Sequence, residues 1–355
     1  MVSPHYLLRP GWFSSDGWFI EMMDRSEIIL EWLKGHGYPV RDLQPASSDA
    51  SFRRYLRADM GELTHIVMDA PPENEDCRPF VDIARALFDA GLHVPQILAE
   101  DLQQGFLLLD DLGDRLYLDE LNEESVERLY GDAMAALITL QTGGPRDDKL
   151  PPYDEALLLQ EMELFREWFL VRHLGLTLDD EANVLLDKAF GFLAGTALQQ
   201  PQVCVHRDYH SRNLMITDTH NPGILDFQDA VFGPVTYDLV SLLRDCYIAW
   251  PREQVEDWAL GFHELAMQSG ILNRDLHADE KQFLKWFDLM GVQRHLKAIG
   301  IFARLNHRDG KSGYLDDIPR TLNYVEEVSG RYDELKGLHD LVSTRVKLAL
   351  EAVIL

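Results

Sequence analysis

Positive charge is scarce in this 355-residue sequence: 33 Lys and Arg stand against 60 Asp and Glu, a formal net charge of -27. Phosphate-rich surfaces repel such a chain, so neither nucleic acid nor an anionic membrane is expected as a partner. Cysteine is equally sparse. Cys77, Cys204 and Cys246 are odd in number and scattered, which excludes a disulfide framework and a four-cysteine zinc site. That usage suits a reducing compartment, and a cytoplasmic location is expected. No apolar run approaches the ~18 residues of a membrane-spanning helix. Residues 1–23 are aromatic but broken by Arg9, Pro10, Asp16 and Glu21. They lack a basic start followed by a clean apolar stretch, so they read as an N-terminal extension and not as a signal peptide. Internal repeats and low-complexity tracts are missing too. What remains is ordinary globular composition, 46% hydrophobic and 26% charged, enough for one large or two medium domains.

The chain is organised around residues 203–250. Apolar alternation at Val203–Val205 predicts a short strand, and a polar loop follows, running from His206 to Asn213. Ile224-Leu225 reads as a second strand that delivers Asp226-Phe227-Gln228. Leu239, Leu242, Leu243, Cys246 and Trp250 then repeat at helical spacing, predicting a helix over 237–250 that Pro251 stops. The pattern is H-x-D-x-x-x-x-N, then D-F-Q after a strand, then G-P-x-x-Y-D-L. Phosphoryl transfer from ATP asks for such groups. One carboxylate, Asp208, would accept or orient an attacking hydroxyl. A second carboxylate and an amide oxygen, Asp226 and Asn213, would hold Mg2+. Two rivals stand beside this reading. The acids could simply cap turns, or His206, Asp208 and His210 could form a transition-metal triad on one side of an extended segment. The triad leaves Asn213 and Asp226 unexplained.

Upstream, Ile28, Ile29, Trp32 and Leu33 predict a first helix closed by Gly35 and Gly37. Residues 45–56 read as strand, tight loop, strand. Ser47, Ser48, Asp49 and Ser51 suit close approach of backbone N–H groups to phosphate, though an ordinary solvated hairpin fits as well. Ile66–Met68 is the next strand. Arg78-Pro79 opens a helix with Phe80, Ile83, Ala84, Leu87 and Phe88 on one face, ended by Gly91. Residues 94–98 and 105–109 are two more strands. Beyond Asp119 strand signals nearly vanish. Helices are predicted at about 122–141, 154–172, 180–199, 252–269, 278–305 and 331–354. Within the run from Gly291 to Phe302, Arg294, His295 and Lys297 interrupt apolar residues. That helix is either salt-bridged and partly exposed or the wall of a substrate site.

The ordered motif set resembles the aminoglycoside phosphotransferase and choline kinase branch of the kinase-like fold. The blocks ASSDASFRRY, MDAPPENEDCRPF, GFLLLDDLGD, HRDYHSRNLM, GILDFQDAVFGPVTYDL and GVQRHLKAIGIFARLNHRDG resemble, within that branch, a family of bacterial anomeric amino-sugar kinases of cell-wall recycling. The likeness runs from about Ser26 to about Val328. It implies an α+β, bilobal protein-kinase-like fold: a small antiparallel-sheet lobe over 24–110, a larger, mostly helical lobe over 111–355, and a hinge at about 109–114. Asp110 and Leu112 would there meet the adenine. It also implies a monomer using ATP and Mg2+ to phosphorylate the C1 hydroxyl of N-acetylmuramate and N-acetylglucosamine. In that setting Ser47, Ser48, Asp49 and Ser51 become a phosphate-covering loop. Gln228, Asp229, Arg294 and His295 become candidate sugar contacts. The chain departs from the protein-kinase pattern at Met68-Asp69, where V-A-I-K would place a phosphate-gripping lysine. One of Arg53, Arg54 or Arg78 is expected to supply that charge. The same departure leaves room for a catalytically silent nucleotide-binding regulator, and another small-molecule kinase of the same branch is a further alternative. A protein kinase is disfavoured, since no A-P-E segment follows Asp226.

Overall fold

A computed structural model describes residues 25–48 and 53–354. The expected extension, together with Asp49 and Ser51, lies outside them. Five antiparallel strands form the first layer: β1 (Asp42–Ser48), β2 (Arg54–Asp59), β3 (Thr64–Asp69), β4 (Ile97–Asp101) and β5 (Phe106–Asp110), in the order β1-β2-β3-β5-β4. Alternation sorts their side chains onto two faces. Val67, Phe106 and Leu108 pack against Ile29, Trp32 and Leu33 of α1 (Arg25–Gly35). Met68, Leu107 and Leu109 face the opposite way. They join Phe80, Ile83 and Leu87 of α2 (Arg78–Asp89) in the main core. Phe88, expected on the same face, is exposed.

The remainder is mostly helical. Its axis is the 30-residue helix Glu280–Asp309, capped by the Asp279 carboxylate at its start and by Gly310 in a left-handed conformation, φ 69°, at its end. The helix Glu155–Leu164 continues as wide π-type turns over Phe165–His173 and packs against this axis. The approach is close. A Cβ on Gly300 would stand 2.3 Å from the Leu164 carbonyl carbon, so only glycine permits it.

One helical expectation is corrected. The helix begun at Tyr237 ends at Leu243, not at 250, because Arg244 turns out of the helical region (φ -120°, ψ 55°). Asp245 then accepts from the Tyr247 N–H, closing a turn where the apolar spacing had suggested another helical turn. Ile318–Ser329 is a helix that had not been predicted, although Ile318, Leu322, Val325 and Val328 line its buried side.

Four short strands hold the centre: β6 (Gln202–Val205) pairs with β9 (Val231–Pro234), and β7 (Leu214–Met215) with β8 (Gly223–Ile224). The loop 206–213 therefore runs from β6 to β7, and Asp226 follows β8. Among the described residues, no helix is long and apolar enough to cross a membrane.

Candidate active site

The loop between β6 and β7 is held at both ends by buried acids. The Asp238 carboxylate accepts the His206 N–H at 2.6 Å and the Arg207 N–H at 3.0 Å. Asp245 accepts the Ser211 N–H at 2.9 Å and the Ser211 hydroxyl at 2.5 Å. Between these anchors Arg207 sits at φ 78°, a left-handed conformation that costs a non-glycine residue about 1–3 kcal/mol. Its guanidinium is fixed too, donating to Glu161 at 2.5 Å and to the Asp229 carbonyl at 3.3 Å. Burial pushes the Asp238 carboxyl up to about 7, against the two N–H groups that draw it down.

Asp208 opens onto a cavity of about 630 Å³ shared by the sheet and the helical part, a volume suited to small ligands. Burial works to raise its carboxyl. Lys297, then His210 and Arg294, outweigh that and hold it below the usual carboxylate range. Asn213 and Asp226 line the same cavity. The Asn213 amide nitrogen donates to the Asp208 carbonyl at 2.9 Å and to the Asp226 carboxylate at 3.3 Å. Asp226, at φ 62°, also accepts from Gln228 Nε2 at 2.7 Å. With its nitrogen so engaged, the Asn213 amide turns its oxygen the other way. The Asp226 carboxylate is a hard donor that fits Mg2+, and the Asn213 amide would join it once the amide turns its oxygen toward the same ion.

Lys297 is buried. It donates to the Tyr237 hydroxyl at 3.0 Å and pairs with Glu161 at 3.2 Å. Glu161 thus gathers Lys297, Arg207, the Tyr153 hydroxyl and Gln293 beneath the loop. A pH prediction follows. If turnover needs the Asp208 carboxylate, kcat falls as pH drops through its depressed pKa. Removing the cation that opposes burial raises that pKa. Lys297→Met is therefore expected to move the acid limb of kcat to higher pH, read from a pH–rate profile. An unmoved limb would exclude the coupling.

Several expected residues lie elsewhere. Arg54 joins Arg25 on the buried Asp69, on the sheet face covered by α1. Arg53 is buried against Glu75, and exposed Arg78 pairs with Asp76. None of the three lines the cavity. For Arg54 the reason is register: Met68 faces the cavity side as core, while the adjacent Asp69 draws Arg54 to the other face. Arg57, not anticipated, does line the cavity, but its fork is bidentate to Asp111 at 2.7 and 3.1 Å. Asp110 and Leu112 line it too. Asp110 accepts the Gln96 N–H at 2.5 Å. Ser47 and Ser48 end β1.

Gln228 orients Asp226, and Asp229 is exposed outside the cavity lining. Arg294 lines the cavity with Lys297, three residues on along the same helix face. His295, about 100° around the helix, points away. It bonds the Arg244 carbonyl at 2.8 Å and stacks on Tyr324. The metal triad does not assemble: the described residues hold no cluster of three His, Cys, Asp or Glu side chains suited to a metal, and His206 Nδ1 instead accepts the Asp208 N–H at 3.3 Å.

Reasoning from sequence missed Glu161, Asp245 and Arg212. Glu161 had a visible signal, a lone acid beside Leu158, Met162 and Phe165 on a core-facing helix stripe.

A small antiparallel sheet, a mostly helical second part and a cavity between them that receives H-x-D, Asn213 and D-F define a phosphotransferase of the kinase-like fold. Residues 42–271 match the model of the phosphotransferase enzyme family, and the chain belongs to that family. The N-acetylmuramate/N-acetylglucosamine kinase of Pseudomonas putida is 50% identical over 305 residues, covering 86% of this chain and 88% of that protein. The kinase of the same name from Neisseria meningitidis is 42% identical, covering 90% and 96%. Among solved structures, the ADP-bound aminoglycoside phosphotransferase APH(2'')-Ib superposes with a TM-score of 0.58 at 16% identity, covering 85% of this chain and 98% of that one. Plasmodium vivax ethanolamine kinase gives 0.58 at 12%, covering 87% and 96%. These two likenesses concern the fold.

Proposed function

We propose that this phosphotransferase moves the γ-phosphoryl group of ATP to the C1 hydroxyl of N-acetylmuramate and N-acetylglucosamine, giving the 1-phosphates for peptidoglycan recycling in the cytoplasm. The observation that carries this reading is the convergence of Asp208, Asn213 and Asp226 on one cavity, in a chain half identical to a kinase named for those sugars. Asp208 orients the attacking hydroxyl and accepts its proton. An anomeric hydroxyl is more acidic than an ordinary alcohol, so a carboxylate held below its usual pKa is basic enough for proton transfer late in the step. Asn213 and Asp226 would hold Mg2+, which supplies charge neutralisation at the phosphates. Gln228 and the anchored loop keep these oxygen donors oriented. The adenine lies against the strand end at Asp110 to Leu112, with the division of the chain into 24–110 and 111–355 falling there.

Arg54 and Arg78 pair with Asp69 and Asp76, outside the cavity lining, which disfavours them as phosphate grips, whereas Arg53, bonded to Glu75 and to the cavity-lining Tyr55, keeps that candidacy. The segment from Ser47 to Ser51 stays the candidate phosphate loop, although Asp49 and Ser51 lie outside the described residues, and Arg294 and Lys297 line the cavity.

The test is a sugar panel with ATP. Both N-acetylated sugars should be converted. A sugar whose C1 is blocked as a methyl glycoside should bind and accept no phosphate, because the nucleophile is gone. The 2-acetamido group should matter as well, since a buried amide contact left unmade costs about 1–3 kcal/mol, so glucose should be poorer than N-acetylglucosamine. Phosphorylation of the methyl glycoside would reject C1 as the acceptor.

A further inference from the structure

Arg212 stands one residue before Asn213, lines the cavity and is exposed. Its guanidinium lies over the Tyr247 ring at 3.8 Å and 5.7 Å from the Tyr314 ring. Both rings line the same cavity. Stacked this way, the planar fork is oriented before any ligand arrives, and its N–H edge stays in the plane where a carboxylate can meet two donors. Two acids of this region have other partners. Asp317 pairs with Arg320 at 3.0 Å, and Asp245 holds Ser211.

From this geometry we infer that Arg212 is a specificity residue that recognises the carboxylate of an acidic sugar acceptor. The inference rests on the proposed function, whose two acceptors differ in this group: N-acetylmuramate carries a lactyl ether carboxylate that N-acetylglucosamine lacks. Net charge favours such a device. A chain of formal charge -27 repels an anionic sugar unless a local cation offsets the field.

Exposure decides between Arg212 and the other cations of the cavity. Lys297 is committed to Glu161 and Tyr237. Arg294 is 5% exposed, and its Nε has no hydrogen-bond partner among the described residues. A buried arginine that depended on the substrate carboxylate would be left unpaired by a neutral sugar, at a cost that would reject it. Arg212 pays no such penalty. Without a carboxylate it remains stacked on its rings and hydrated. The enzyme can then favour the acidic sugar and still accept the neutral one.

The experiment compares kcat/KM for N-acetylmuramate with that for N-acetylglucosamine in the wild type and in Arg212→Gln. The ratio should fall about 10-fold in the variant, through KM for the acidic sugar, because the contact acts equally in ground and transition states. Arg212→Lys should recover part of the ratio. In the wild type the ratio should also fall as salt rises, and in Arg212→Gln it should be flat. The methyl ester of N-acetylmuramate should behave toward the wild type as the free acid behaves toward the variant. A ratio preserved in Arg212→Gln, with both sugars losing equally, would overturn the inference and assign Arg212 to holding the loop. If the wild type phosphorylates neither sugar, the proposed function fails first and this inference falls with it.

Discussion

Asp208→Asn is expected to lose turnover by ~10²–10⁴-fold, the range for a removed general base, while nucleotide affinity stays near that of the wild type. Amide and carboxylate are nearly the same size, so the substitution tests charge and proton acceptance with little change in packing. The loop should survive it. Its ends are fixed by Asp238 on the His206 and Arg207 N–H groups and by Asp245 on Ser211, none of which involves the Asp208 side chain. The Asn213 amide bonds the Asp208 backbone carbonyl, which is also unchanged. Single-turnover kinetics with a nucleotide titration separate the two effects. Near-normal turnover would remove Asp208 from proton transfer and leave positioning and charge as the whole of catalysis.

Asp226→Asn should show the complementary profile. The carboxylate accepts from Asn213 and Gln228 and faces the cavity, so replacing it removes a charged oxygen donor and perturbs the neighbouring one. Loss of a supporting group at a metal site already costs about 10–100-fold in affinity, and a direct ligand should cost at least as much. The expected result is a large rise in the dissociation constant for Mg-nucleotide, measured calorimetrically, with sugar binding little affected. Excess Mg2+ should recover part of the loss. An Asp226→Asn protein that binds Mg-nucleotide normally would contradict the assignment.

Much of this architecture was legible in the sequence because its signals are local. Short apolar runs marked the strands of the sheet, although the one read at 94–98 lies at Ile97–Asp101, and proline and glycine bracketed α2. The spacing from Asp208 to Asn213 to Asp226 needed only a strand, a loop and a strand to bring three oxygen donors to one wall. What was hidden depends on contacts distant in sequence. The path of Arg54 follows from β-strand register and from the burial of Asp69, and that of Arg53 from its pairing with Glu75, none of which a linear motif encodes. Lys297 and Glu161 stand 136 positions apart by their numbers, and their pairing across two packed helices becomes visible only in three dimensions. His295 differs from Arg294 by one residue and by a hundred degrees, which separates a packed ring from a cavity wall. The early end of the helix at Leu243 arises because Asp245 is used to hold Ser211, a demand of the site that apolar spacing does not express.

The central claim is that the phosphoryl group arrives at an anomeric oxygen. Phosphorus NMR of the product formed from ATP, Mg2+ and N-acetylglucosamine tests it most directly. The account predicts a sugar phosphate whose phosphorus couples to H1, formed in step with ADP. A phosphorus coupled instead to the C6 protons, or ADP released without any sugar phosphate, would contradict it.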